Sequence, residues 1–126
     1  MKKCFLTAHG PKAVGPYSTA TLCGDTVYLS GMIGIDPKVN KLVEGGIEAE
    51  ARQVFENIQT VLGELNLTCQ SVLKTTVFLT DLGNFGKVNE LYAGYFGPDY
   101  PARSCLEISK LPLGAAIEVE LIAEIQ

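Results

Sequence analysis

The chain has no tryptophan, one histidine and no excess of basic residues. Lys and Arg number 10 against 14 Asp and Glu, for a net charge of −4, and the pI is about 4.9. The cations are scattered along the chain, so nothing supplies the basic footprint that nucleic acid or an anionic membrane would need. Cys4, Cys23, Cys69 and Cys105 lie far apart with no CxxC pair, and His9 is the only histidine. That spacing argues against a zinc site and against a disulfide framework, and it predicts free, mostly buried thiols. No apolar run approaches the roughly 20 residues that cross a bilayer. The N-terminal MKKCFLTAHGPKAVGP is broken at His9, Gly10 and Pro11 before an apolar signal core could form, so the expectation is a protein of the cytoplasm. Repeats, low-complexity linkers and shifts in composition are also missing, which predicts one domain over residues 1–126.

Apolar residues make up 47% of the sequence, enough for a core held by burial alone. Thr26 to Ile33, TVYLSGMI, is β-rich and is followed by turn chemistry at Asp36-Pro37 and Asn40. Ile47, Ala51, Val54, Phe55, Ile58, Val61, Leu62 and Leu65 form the i, i+3, i+4 stripe of a long amphipathic helix. Val72 to Thr80 returns to strand character. Asp81 to Phe96 predicts a second helix, with Phe85, Val88, Leu91, Tyr92, Tyr95 and Phe96 inward and Gly97-Pro98 as its end.

Two more strands follow in PARSCLEISKLPLGAAIEVELIA, Pro101 to Ala123. Side chains two apart on a strand share a face, so Arg103, Cys105 and Glu107 go together, as do Glu118, Glu120, Ile122 and Glu124. The predicted architecture is α+β, with two helices covering one face of a sheet and the other face left open. Arg103, Glu118 and Glu120 are expected to line that open face. An arginine fork can clamp a carboxylate and a nearby glutamate can move protons, although a sheet with one wet side would show the same alternation.

GPYS at Gly15 to Ser18, YLSG at Tyr28 to Gly31, KTTVFLTDL at Lys74 to Leu82, VNELYAGYF at Val88 to Phe96 and PARSCLEISKLPLGAAIEVE resemble the RidA (YjgF) family of reactive-intermediate deaminases. The resemblance implies a single chorismate-mutase-like domain, a mixed sheet with two helices on one face, assembled as a homotrimer with sites between subunits. It implies hydrolysis of enamines and imines, such as 2-aminoacrylate and related 2-imino acids, to 2-oxo acids and ammonia, without cofactor or metal. On the matching positions, Arg103 is the carboxylate clamp and Glu118 the acid/base, with Glu120 its rival on the same face. Tyr17, Ser30 and Cys105 contact the substrate, Cys105 without a nucleophilic role because no histidine is placed to serve it. Asn89 is a weaker candidate. Met32 stands where Gln is common, next to the Ser30 region, and it bears on the accepted side chain. Gly34, Val39-Asn40 and Val119 are further departures. Two other readings remain: a metabolite-binding or chaperone-like module without turnover, and a ribonuclease or translation inhibitor.

Overall fold

The computed structural model describes residues 1–126. Six strands form one sheet in the order β1-β2-β3-β8-β6-β7, from β1 (Lys3–Phe5), β2 (Ala20–Cys23), β3 (Thr26–Met32), β6 (Val72–Leu79), β7 (Ala102–Glu107) and β8 (Ile117–Glu124). A separate two-stranded hairpin, β4 (Ile35–Asp36) with β5 (Lys41–Leu42), turns through Asn40 at φ 58. Helices α1 (Gly46–Glu64) and α2 (Phe85–Phe96) lie together on one face of the sheet, as the periodicity predicted. All pairs in the sheet are antiparallel except β6 with β7, which run parallel because α2 carries the chain back between them. Neither helix is long and apolar enough to cross a membrane.

The helix stripes and the inward positions of the strands make one core. Val54, Phe55, Ile58, Val61 and Leu62 of α1 are fully buried, as are Val77, Leu79, Ile117 and Val119 of the central strands. Phe55 joins the two helices, its ring centroid 6.0, 5.1 and 5.8 Å from those of Tyr92, Tyr95 and Phe96. Helix α1 stops where Asn66 takes the left-handed conformation, φ 60, and Leu67 returns its N–H to the Leu62 carbonyl at 2.8 Å.

Two short segments absent from the periodicity complete the sheet, β1 at its edge and β2 between β1 and β3. The arm after β1 is pinned to the end of α1. The Glu64 carboxylate accepts from the Thr7 hydroxyl and from the N–H groups of Ala8 (2.6 Å) and His9 (3.2 Å). Burial pushes that carboxyl up, but these donors and the nearby His9 outweigh it and hold the group below the usual carboxylate range. The cysteines are free, yet only Cys69 is buried; Cys4 and Cys23 are exposed because they alternate with the core-facing Phe5, Ala20 and Leu22 and so point to the open face of the sheet. The second helix is also shorter than predicted. Asp81 accepts from the Gly83 N–H at 2.8 Å and caps a 3-10 turn, Leu82–Asn84, before α2 begins.

Candidate active site

The candidate residues divide between the two faces of the sheet. Across the ladder, Thr75 pairs with Arg103 and Phe78 with Glu118. Paired residues project to the same face, and positions 75 and 78 are an odd number apart, so Arg103 and Glu118 point to opposite faces. Arg103 and Cys105 lie on the helix side, while Glu118 and Glu120 lie on the open side. The expectation that all of them line the open face is therefore corrected for Arg103. Alternation along each strand groups residues correctly, but only the register against β6 says which group faces the helices.

On the open side, Glu118 faces a cavity of about 310 Å³ that is also lined by Tyr17, Ser30 and Gly31. A bulge shapes this wall. Leu29 pairs with Leu121 and Met32 with Val119, so three steps on β3 oppose two on β8, and Ser30-Gly31 carries the extra residue. The bulge turns Met32 into the core, 5% exposed, where it bounds the cavity from beneath. Met32 is thus a core residue that also borders the cavity beside Ser30.

Gly31 has a direct steric role. A Cβ there would come within 2.7 Å of the Glu118 Cδ and 2.8 Å of its Oε2, so the missing side chain makes room for the carboxylate. The Ser30 hydroxyl donates to the Ser18 carbonyl at 2.7 Å, which ties β3 to the loop bearing Tyr17 and leaves the Ser30 lone pairs as acceptors. Tyr17 is half exposed at the rim. No side chain of the chain hydrogen-bonds the half-buried Glu118. Burial, and then the neighbouring Glu120 charge, push its carboxyl above the ordinary carboxylate range.

On the helix side, Arg103 occupies an open notch lined by Asn89, Tyr92, Ala93, Tyr100 and Pro101. Its Nη1 donates to Asn89 Oδ1 at 2.7 Å, and the guanidinium carbon lies 5.3 Å from the Phe85 ring centroid and 4.8 Å from that of Tyr92. Tyr92 is fixed in turn by a buried 2.7 Å hydrogen bond with Thr75, the ladder partner of Arg103. No carboxylate pairs with Arg103, since the one salt bridge in the chain joins Arg52 and Glu48. The fork is thus positioned by two rings and an amide, with donors left for an anion.

Cys105 is half buried on the same side as Arg103. Burial raises its thiol, against a smaller opposing effect of Arg103, so the neutral S–H prevails at neutral pH and a thiolate nucleophile is disfavoured. The cradle of Phe85, Asn89 and Tyr92 was only partly visible in the sequence. These residues stand at i, i+4 and i+7 of α2, and a polar Asn89 inside an otherwise apolar stripe was the available sign.

The comparisons with known proteins cover almost the whole chain. Residues 7–125 match the family model described as Endoribonuclease L-PSP. The chain is 44% identical over 123 residues to a RutC family protein of Pyrococcus horikoshii, with 98% of both chains covered. It is 42% identical over 123 residues to the human protein named 2-iminobutanoate/2-iminopropanoate deaminase, covering 98% of this chain and 90% of that one. A crystal structure of a putative endoribonuclease from Thermotoga maritima superposes with a TM-score of 0.96 at 41% identity, covering 100% of this chain and 99% of the other. RidA from an Antarctic Psychrobacter superposes with a TM-score of 0.93 at 40% identity, covering 98% and 99%. Fold, signature positions and relatives agree, and the chain belongs to the RidA (YjgF) family.

Proposed function

We propose that this protein hydrolyses 2-imino acids, and the enamines that tautomerise to them, to 2-oxo acids and ammonia. The observation that carries this reading is the pairing of an anion clamp with no anion of its own, Arg103, and a half-buried carboxyl without a hydrogen-bond partner that faces a cavity, Glu118. They lie on opposite faces of one sheet, so each chain supplies two halves of a site rather than one whole. A neighbouring copy that lays its Arg103 notch over the Glu118 cavity would assemble the site, and we propose a homotrimer with three such clefts.

In this scheme the substrate carboxylate docks on the Arg103 fork, held flat by Phe85 and Tyr92. Acting on the protonated imine, Glu118 takes a proton from water as its oxygen attacks the C=N carbon, and the iminium nitrogen becomes the neutral amine of a carbinolamine. Glu118 then returns the proton to that nitrogen; as the C–N bond breaks and ammonia leaves, the hydroxyl proton passes to Glu118, the carbonyl forms, and that proton is released with the ammonia as ammonium. One water enters and one ammonia departs, with no net redox change. Ser30, whose proton is committed to Ser18, offers an acceptor for the water or the departing nitrogen. The human relative named as a 2-iminobutanoate/2-iminopropanoate deaminase supports the substrate class. The acidic strand β8, with Glu118, Glu120 and Glu124, is ill suited to a polyanion and weighs against the ribonuclease reading.

The test is a coupled assay in which a pyridoxal-phosphate dehydratase releases 2-aminoacrylate from serine. Pyruvate should appear faster when this protein is added. A rate equal to that of buffer alone would refute the deaminase reading.

A further inference from the structure

The Glu118 cavity is larger and more apolar than the smallest imino acids require. A water molecule takes about 30 Å³ of liquid, so 310 Å³ holds roughly ten, whereas a three-carbon imino acid has only about six heavy atoms. Lys12, Thr19, Ser30, Asn40 and Glu118 make the polar part of the cavity wall, and Val14, Met32, Ile33, Ile35 and Leu113 the apolar part. Leu113 is the unusual member. Its φ is 59 and ψ 17, a left-handed conformation that disfavours any residue with a Cβ, and it is 70% exposed.

The surrounding backbone holds Leu113 there. It lies in the 3-10 turn Pro112–Gly114, followed by Gly114 at φ 71. Just beyond, the Ala116 N–H donates to the buried Glu50 carboxylate at 2.8 Å, and the Ala116 carbonyl accepts from Thr80 at 3.2 Å. Ala115 is buried and its N–H returns to the Pro112 carbonyl at 3.1 Å. A leucine kept in an unfavourable backbone conformation with its side chain in solvent contributes little to the fold of this chain. Strain of this kind collects where a side chain must be presented to a ligand.

We infer that the apolar half of the cavity is a subsite for an unbranched aliphatic side chain of the substrate, and that Leu113 is its specificity-determining residue. The inference rests on the deaminase reading for the reaction and on the cavity for the preference. Substrates would then be 2-imino acids of five or six carbons ahead of those of three or four. Met32 closes the subsite from the core side, and Val14 and Leu113 flank its mouth.

The experiment uses two readouts on the same series. Amino-acid oxidase generates the imines of 2-aminobutyrate, norvaline and norleucine for turnover, and calorimetry measures binding of 2-oxobutanoate, 2-oxopentanoate and 2-oxohexanoate. Each methylene buried should raise kcat/KM, and affinity for the oxo acid, about fourfold, or roughly 15-fold from four carbons to six. Leu113→Gly relieves the backbone, so its melting temperature should not fall, while the six-to-four-carbon ratio should shrink to within about fourfold.

A flat or falling series with good turnover would overturn the subsite and leave the deaminase reading intact. A Leu113→Gly variant with the wild-type ratio would overturn the assignment of Leu113, which would then belong to subunit contacts. Oxo-acid affinity that climbs with length while no imine is turned over would uphold the subsite and refute the deaminase reading. Neither binding nor turnover would refute both.

Discussion

Replacing Arg103 by Ala tests the clamp most directly. The guanidinium gives one bond to Asn89 and is stacked against Phe85 and Tyr92, and its remaining N–H donors meet no carboxylate of the chain. A charge-assisted hydrogen bond to a substrate carboxylate is worth about 1.5–3 kcal/mol, so Arg103→Ala should reduce kcat/KM by about 10- to 150-fold. Stability should change far less. The side chain is exposed, and what it loses is cation–π contact of the order of 0.5–1 kcal/mol at such a site. Arg103→Lys keeps the charge but loses the planar fork and its fit between the rings, so it should recover little of the activity. The assay is conversion of oxidase-generated 2-iminobutanoate, with urea denaturation as the control for folding. Near-wild-type kcat/KM in both variants would show that Arg103 holds no substrate carboxylate, and the functional reading would lose its anchor.

Other outcomes follow from the opposite half-site and the core. Glu118→Gln should lower kcat by about 10²- to 10⁴-fold, the usual contribution of a general acid/base. Because folding raises the Glu118 carboxyl, stability is lost as the pH rises from its unfolded value through its folded one; Glu118→Gln should therefore raise the melting temperature at pH 7 and not at pH 4. Glu120→Gln removes the second of the two causes of that shift, so the acidic limb of the kcat/KM profile should move to lower pH; an unmoved limb would mean that Glu118 is not the titrating base. Gly31→Ala places a Cβ within 2.7 Å of the Glu118 carboxyl carbon and should reduce kcat while the circular dichroism spectrum stays unchanged. Phe55→Ala empties the junction of the two helices and should lower the unfolding free energy by about 3–5 kcal/mol in urea titration.

The layer architecture was legible because it rests on periodicities that burial enforces. The stripe from Ile47 to Leu65 became α1, and the alternation from Ile117 became β8 with its apolar positions buried. What the sequence left hidden depends on pairings between distant segments. Arg103 and Glu118 each sit on the more polar side of their own strand, and either strand could have turned that side to solvent. The pairing of Thr75 with Arg103 and Phe78 with Glu118 settles it, and neither pairing has a local signal. The core placement of Met32 was hidden for a related reason: the bulge at Ser30-Gly31 shifts the alternation by one residue, and glycine is the only local trace of it. The short strands β1 and β2 carry too few residues for any period to show.

Half-sites on opposite faces constrain the symmetry of any assembly that joins them. In a two-fold dimer the same surface patch meets itself, so a single interface would have to contain both faces of the sheet. Placing one chain's Arg103 notch on the next chain's Glu118 cavity is instead a head-to-tail contact, and such contacts close into a ring or run on as a filament. The proposed trimer is the closed case, and mixing two dead variants tests it. In an assembly refolded from equal parts of Arg103→Ala and Glu118→Gln, a cleft is whole when the chain giving the glutamate is an Arg103→Ala chain and the chain giving the arginine is a Glu118→Gln chain. Each condition holds for about half of the chains, so about a quarter of the clefts, and about a quarter of wild-type activity, should return on random mixing. If both residues served a site within one chain, every cleft in the mixture would still lack one of them. Activity that stays at the level of the separate variants, with light scattering confirming that the mixed oligomer had formed, would exclude the shared cleft.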